Sequence, residues 1–278
     1  MSVGRFVCIS IYVGLLFVTP AYALENCVTP PTCDELGFTV NIEDCAGAAL
    51  KCPWDLSKAA CNQTQTCSGK IGDILFGDGS CNPQIIEGKT PIGVIFDATN
   101  RLAVALTDIK KDGSPGGEGM AWSSSDCDVP NLTNCDDPYN RTCGTDGRAN
   151  TDAILATNGG CSGTTYAAQT TNTYEPKGCS SPLCKKGKWF LPSYPDLMNL
   201  CDVKATIYAS LDALKSWGST KPEAYKRYLS STESIYLQDF SPNRPVQVNY
   251  LFLSSCGGGN IEKTVVHEDR RVRPVVKY

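Results

Sequence analysis

Sixteen cysteines in 278 residues constrain this chain more than any other feature. Thiols at that density persist as disulfides only where the surroundings oxidise them, and cytosolic thiols are kept reduced. The chain is therefore expected to fold outside the cytoplasm, at the cell surface, in the periplasm or in the extracellular space.

The first residues agree with export. Arg5 supplies a short positive segment, Phe6 to Val18 is a mostly apolar run, Pro20 ends it, and Ala21-Tyr22-Ala23 reads as a cleavage site. Residues 1–23 are thus expected to be a signal peptide. The apolar run is short of the roughly 20 residues that a membrane-spanning helix needs. Leu24-Glu25-Asn26 are bulky or charged where a lipid-attachment site before Cys27 would need small residues. No later stretch is long and apolar enough to span a bilayer, so no membrane span is expected after cleavage. Cleavage removes Cys8 and leaves an odd number of cysteines: Cys27, Cys33, Cys45, Cys52, Cys61, Cys67, Cys81, Cys127, Cys135, Cys143, Cys161, Cys179, Cys184, Cys201 and Cys256. At least one must be free or bonded to another chain.

The cysteines suggest two regions. Residues 24–68 hold six of them among few apolar side chains, a composition that cannot offset chain entropy without cross-links. Up to three bridges are expected there, with the pairing left open. No C-x-x-C and no histidine favours zinc in that stretch. Residues 69–278 form the main domain. Its expected strands are Ile71 to Phe76, Pro91 to Phe96, Leu102 to Leu106, Ser234 to Phe240, Val246 to Leu253, Lys263 to His267 and Arg271 to Tyr278. Gly77-Asp78-Gly79 and Asp97-Ala98-Thr99-Asn100 are expected turns, and Gly257-Gly258-Gly259 a hairpin turn rather than a phosphate cradle. Helices are expected over Asp152 to Thr157, capped by Asn150-Thr151, and from Tyr194, capped by Ser193. A third should run from Thr206 to Trp217 on Ile207, Leu211 and Leu214, ending at Gly218. A short fourth is expected over Pro222 to Leu229. Strands, then helices, then strands indicate an α+β fold rather than an alternating one.

Composition excludes several chemistries. The net charge is −4, so no basic surface points to nucleic acid. His267 is the single histidine, which rules out zinc sites built on two or three of them and leaves one base for any triad. It sits in the expected edge strand Thr264-Val265-Val266-His267 as a surface residue. There is no G-x-S-x-G, P-loop or G-x-G-x-x-G, so no catalytic residue and no cofactor are expected. Asp126, Asp128, Asp136 and Asp137 supply oxygen ligands but lack an EF-hand spacing. They read as a solvated loop, and no metal is expected.

Four segments stand out: Gly88-Lys89-Thr90-Pro91-Ile92-Gly93-Val94-Ile95-Phe96, Gly187-Lys188-Trp189-Phe190-Leu191-Pro192-Ser193, Leu229-Ser230-Ser231-Thr232-Glu233 and Arg271-Val272-Arg273-Pro274-Val275. Trp189 and Leu191 should share the core side of an extended segment. Ser230 to Thr232 should satisfy backbone groups in a turn, with Glu233 pairing to Arg271 or Arg273. With Asp146-Gly147-Arg148-Ala149-Asn150-Thr151, the order of these segments resembles the Lcl C-terminal domain, named for a Legionella collagen-like adhesin, over about residues 71–278. Asp196-Leu197 stands where that family usually has Glu-Leu, and Leu229 replaces an aromatic residue. The resemblance implies a C-type-lectin-like fold: an antiparallel sheet joining the two chain ends, two main helices, and long loops forming a binding surface. Residues 27–61 resemble a cysteine-rich module of gut bacterial surface proteins, which implies a stalk or spacer.

The expected function is adhesion or ligand binding without catalysis, the partner being a host or bacterial surface glycan or protein. Aromatic faces beside polar groups suit glycans. Trp122, Tyr139, Tyr236, Asn243, Arg244 and Tyr250 are the exposed candidates. A structural envelope protein without a specific ligand is one alternative. An enzyme of the formylglycine-generating type, which would need a reactive cysteine pair, is another.

Overall fold

A computed structural model describes residues 51–52, 55–59, 67, 69–124, 128–135, 137, 140–157, 166–234 and 247–278. The chain divides into two compact units, Met1–Thr66 and Cys67–Tyr278. In the first, β1 (Lys51–Cys52) pairs antiparallel with β2 (Asp55–Ala59). The expected signal peptide lies outside the described residues. Among those described, no helix is long and apolar enough to cross a membrane.

The second unit is α+β, with two sheets and four α-helices among its described residues. The larger sheet contains β3 (Ile74–Phe76), β4 (Cys81–Asn82), β5 (Pro91–Asp97), β6 (Leu102–Ala105), β7 (Trp189–Phe190) and β12 (Val275–Lys277), in the order β4-β3-β5-β6-β12-β7. Every pair is antiparallel, and the last strand of the chain lies between β6 and β7. Successive strand residues point to opposite faces, and here both faces are covered. Leu75, Ala103, Trp189 and Val276 join one apolar cluster, while Ile74, Phe76, Val104, Phe190 and Val275 join the other. This explains why β5 and β6 read as near-continuous apolar runs.

The smaller sheet runs β10-β9-β8-β11, built from β8 (Arg227–Ser234), β9 (Gln247–Phe252), β10 (Gly257–Glu262) and β11 (Arg270–Arg271). Only β11 is parallel to its neighbour, β8. Helix α1 (Gly147–Ala156) and helix α2 (Tyr166–Thr173) add Ile154, Ala167 and Ala168 to the first cluster. Helix α3 (Tyr194–Asp202) and helix α4 (Lys204–Ala213) add Leu197, Leu200, Ile207 and Leu211 to the second.

Several expectations are corrected. Helix α1 starts at Gly147 and is capped by Asp146, whose side chain accepts from Ala149 N–H at 3.0 Å. Asn150 is instead buried inside the helix and reaches Gly144 O at 2.9 Å. Pro222 to Leu229 is not a helix: Tyr225 has a left-handed φ of 60°, and Tyr228 and Leu229 enter different clusters on opposite faces of β8. Gly257 to Gly259 begin β10 and are not a turn. A Cβ on Gly258 would lie 2.6 Å from Tyr250 O and 2.7 Å from the Tyr194 hydroxyl, so the strand needs glycine for close approach. The turn precedes it, at Leu253 to Cys256. Lys263 to His267 leaves the sheet: Lys263 turns inward while Val265, Val266 and His267 are exposed. The terminal strand is two short ones, β11 and β12, separated by residues 272–274. Ser234 ends β8, and the remainder of the strand expected to Phe240 lies outside the described residues.

Four disulfides join described residues: Cys67–Cys81, Cys135–Cys143, Cys179–Cys184 and Cys201–Cys256. Such bonds fit an oxidising environment. Cys67, grouped by sequence with the first unit's cysteines, is bonded to Cys81 beside β3.

Candidate functional site

Three of the segments singled out in the sequence, 146–151, 187–193 and 229–233, converge and hydrogen-bond to one another. Ser231 N–H donates to Pro192 O at 2.7 Å, and Tyr194 N–H donates to Thr232 Oγ1 at 2.9 Å. Thr151 Oγ1 accepts from Leu191 N–H at 3.0 Å, and Asn150 Nδ2 donates to Ser231 Oγ at 3.3 Å. Ser230 to Thr232 occupy a break in register between β8 and β9 rather than a turn, and are almost solvent-free. This junction ties α1, α3 and β8 together.

Glu233 contacts Lys263, not Arg271 or Arg273. Arg271 Nε donates to Glu223 Oε1 at 2.9 Å, and this bond holds the Glu223 carboxyl below its usual range. Arg273 Nε donates to Asp108 Oδ1 at 2.6 Å, with Arg273 solvent-free and Asp108 4% exposed. Asp108 Oδ2 accepts from the Tyr228 hydroxyl at 3.0 Å, which itself accepts from Glu223 N–H at 2.7 Å. Burial pushes the Tyr228 phenol well above its ordinary range.

The structure removes Trp122 from the exposed candidates. It is 1% exposed, and its Nε1–H donates to Ser230 O at 2.8 Å. Tyr250 is half-buried on β9, edge-on to Phe252 with ring centroids 5.3 Å apart, and the Arg227 guanidinium lies 5.4 Å from its ring centre. Its packing is internal to the sheet. Tyr139, Tyr236, Asn243 and Arg244 lie outside the described residues.

Of the acidic cluster, Asp128 accepts from Asn134 Nδ2 at 2.9 Å, and Asp126 and Asp136 lie outside the described residues. Among the described residues no group of three or more His, Cys, Asp or Glu could hold a metal ion.

The clefts lined by described residues include two on this unit. One, of about 260 Å³, is polar and lies at the start of α1, lined by Asp146, Arg148, Asp196 and Lys277. Its acids are committed: Asp146 caps α1, and Asp196 Oδ2 accepts from Ser193 N–H at 2.8 Å. Burial pushes the Asp196 carboxyl up to about 6. Arg148 is held by Asp152 at 2.7 Å and by Gly187 O. The cleft closes a helix junction and leaves little free chemistry.

The other, of about 130 Å³, is a groove lined by Pro91, Ile92, Pro115, Tyr174, Pro176 and Trp217, with Lys177 at its margin. Tyr174 is buried, edge-on to Trp189 with centroids 5.2 Å apart, and burial raises its phenol to about 12. Trp217, by contrast, is 45% exposed. It ends a single 3₁₀ turn, Lys215–Trp217, stopped by Gly218 at φ 79°. Thr220 N–H donates to Leu106 O at 2.9 Å, and Arg273 Nη2 donates to Thr220 O at 2.9 Å. The buried Asp108–Arg273 pair thus braces the segment that follows Trp217. The groove is smaller than the roughly 300–1,000 Å³ of an enclosing ligand pocket, and suits contact with one ring or side chain at a time.

Sequence reasoning passed over Trp217 as the end of a helix. The signal was present. At about 3.6 residues per turn, Trp217 lies roughly a quarter-turn from the centre of the stripe of Ile207, Leu211 and Leu214. An aromatic residue off the buried stripe and next to a helix-ending glycine is presented to solvent.

No family model, curated protein or solved structure matches this chain.

Proposed function

We propose that the chain is an exported surface or secreted protein that binds a glycan or another protein, without catalysis, through the Trp217 groove and the loops beside it. The observation that carries this reading is the half-exposed Trp217 indole at the rim of a groove with a buried, braced floor. An indole face beside a cation such as Lys177 matches the apolar face and hydroxyl edge of a sugar, or an apolar side chain of a protein. The finer fold assignment, a C-type-lectin-like domain related to the Lcl C-terminal family, belongs to the same proposal. It is supported by β3 and β12, the first and last strands of the second unit, which share one sheet, and by the run from Leu106 to Asp146 that contains no regular element among its described residues. The eight bonded cysteines favour a rigid binder over an enzyme that needs a free cysteine pair.

The test is a glycan array and a cell-surface binding assay with the full secreted chain, at low and high ionic strength. Binding is expected, and Trp217→Ala should weaken it by about 30-fold, the scale of an aromatic hot spot of about 2 kcal/mol. No binding at any ionic strength would overturn the proposal in favour of a structural envelope protein. Binding unaffected by Trp217→Ala would move the site away from the groove.

A further inference from the structure

Lys263 and Glu233 are both solvent-free, and the lysine Nζ is in contact with Glu233 Oε1. They come from different strands' ends: Glu233 lies near the end of β8, and Lys263 directly follows β10. Their backbones are pinned. Cys135 N–H donates to Glu233 O at 3.0 Å, and Trp122 N–H donates to Lys263 O at 3.0 Å. The Trp122 ring covers the amine at 4.6 Å. Val129 N–H lies 3.3 Å from both Glu233 carboxyl oxygens.

We propose that Lys263 and Glu233 form an intramolecular amide, a covalent cross-link between the two segments. Each part of the reaction has a counterpart in the site. Transfer of a proton from Lys263 to Glu233 within the buried pair gives the neutral amine, the nucleophile, and the protonated carboxyl, the electrophile. Burial pushes that carboxyl up to about 7, which supplies the protonated form near neutrality. The Nζ lone pair attacks Glu233 Cδ, and the Nζ–Cδ bond forms. The Cδ–OH bond then breaks, and the hydroxyl leaves as water with one amine proton. No oxidant or co-reactant is required.

Three features promote the step. Lys263 Nζ already touches the Glu233 carboxyl through Oε1, one bond from the carbon it attacks, so little approach is left to arrange. Val129 N–H lies within reach of both carboxyl oxygens, so it can donate to the one on which negative charge builds. The site is closed to solvent, which disfavours return of the water. The product also removes two buried charges, whose desolvation an ion pair only partly offsets.

Tryptic mapping of the secreted protein after reduction tests this directly. Trypsin cuts after Arg227, resists the Arg244-Pro245 bond, and would next cut after an unmodified Lys263. The amide blocks that cut. The expected peptide therefore runs from Tyr228 to Arg270, is lighter than its sequence by one water, and shows no fragment ions from between Glu233 and Lys263. Lys263→Arg keeps the charge but cannot form this amide, and should give the linear peptide ending at residue 263 at full mass. A wild-type peptide from Tyr228 to Lys263 at full mass would overturn the proposal, as would a water loss located at any other residue. The map is read on the wild-type protein, so it stands whether or not the variant folds.

Discussion

Asp108 and Arg273 show how one buried pair supports a distant surface. Both are nearly solvent-free, 2.6 Å apart, with Tyr228 completing the carboxylate's contacts and Thr220 O taking a guanidinium proton. Arg273→Ala would leave Asp108 charged and unpaired in the interior. It is expected to cost about 3–5 kcal/mol in urea unfolding. Tyr228→Phe removes a partner from Asp108 and from Glu223 N–H, and should cost about 1–3 kcal/mol. A surface-like cost below about 0.5 kcal/mol for Arg273→Ala would show that water reaches the pair. At this scale the sequence was legible where chemistry forces one environment: Trp189 and Leu191 both face the core. It was not legible where a side chain suits two environments. Trp122 carries an N–H that serves a sugar or a backbone carbonyl equally well, and only the position of Ser230 O decides. Glu233 was expected to meet Arg271 or Arg273, but its partner, Lys263, comes from the far end of the β9–β10 hairpin.

The elements differ in how far they depend on neighbours. Helix α3 announces itself, because Ser193, Pro195 and Asp196 supply cap, first-turn proline and reciprocal partner in order. Ser193 Oγ accepts from Asp196 N–H at 3.1 Å, and the Asp196 carboxylate accepts from Ser193 N–H. Ser193→Ala should cost about 1 kcal/mol. Asp196 also gives this cap a pH signature. Its folded pKa, about 6, is above the ordinary 3.8, with burial as the leading cause. Between those values the folded state retains a proton that the unfolded state has lost, so stability falls as pH rises. The drop should be about 2 kcal/mol from pH 4 to pH 6. Asp196→Asn should remove that part of the pH profile in denaturation experiments. A wild-type profile matching the variant's would show that the carboxyl is ordinarily hydrated. Helix α2 carried no comparable signal, because Tyr-Ala-Ala-Gln-Thr-Thr-Asn-Thr is rich in poor helix formers. It forms because Ala167 and Ala168 pack into the core and Ala167 N–H meets Trp122 O at 3.2 Å. Such a helix is made by tertiary contacts that a local reading does not contain.

For the whole molecule, the cysteine count was readable and the wiring was not. Six cysteines before residue 68 read as one group, yet Cys67 crosses to Cys81. With eight cysteines bonded, the odd one falls among Cys27, Cys33, Cys45, Cys52, Cys61, Cys127 and Cys161 once the expected signal peptide is removed. The known bonds should also differ in weight. Cys201–Cys256 links residues 55 apart and joins the end of α3 to the turn before β10, whereas Cys179–Cys184 spans only 5. If each acts mainly by restricting the unfolded chain, the first contributes about 4 kcal/mol and the second about 2 kcal/mol. Paired Cys→Ser replacements, measured by urea unfolding of the full chain, should show that order. The longer bridge has a second role, since it locks Leu253 to Cys256 against α3 while Lys204 Nζ donates to Ser254 O at 2.7 Å. Its loss should therefore also raise hydrogen exchange through β9 and β10, while loss of the shorter one leaves exchange outside its own loop unchanged. Equal costs, or the reverse order, would mean that these bridges act through contacts in the folded state rather than through chain entropy.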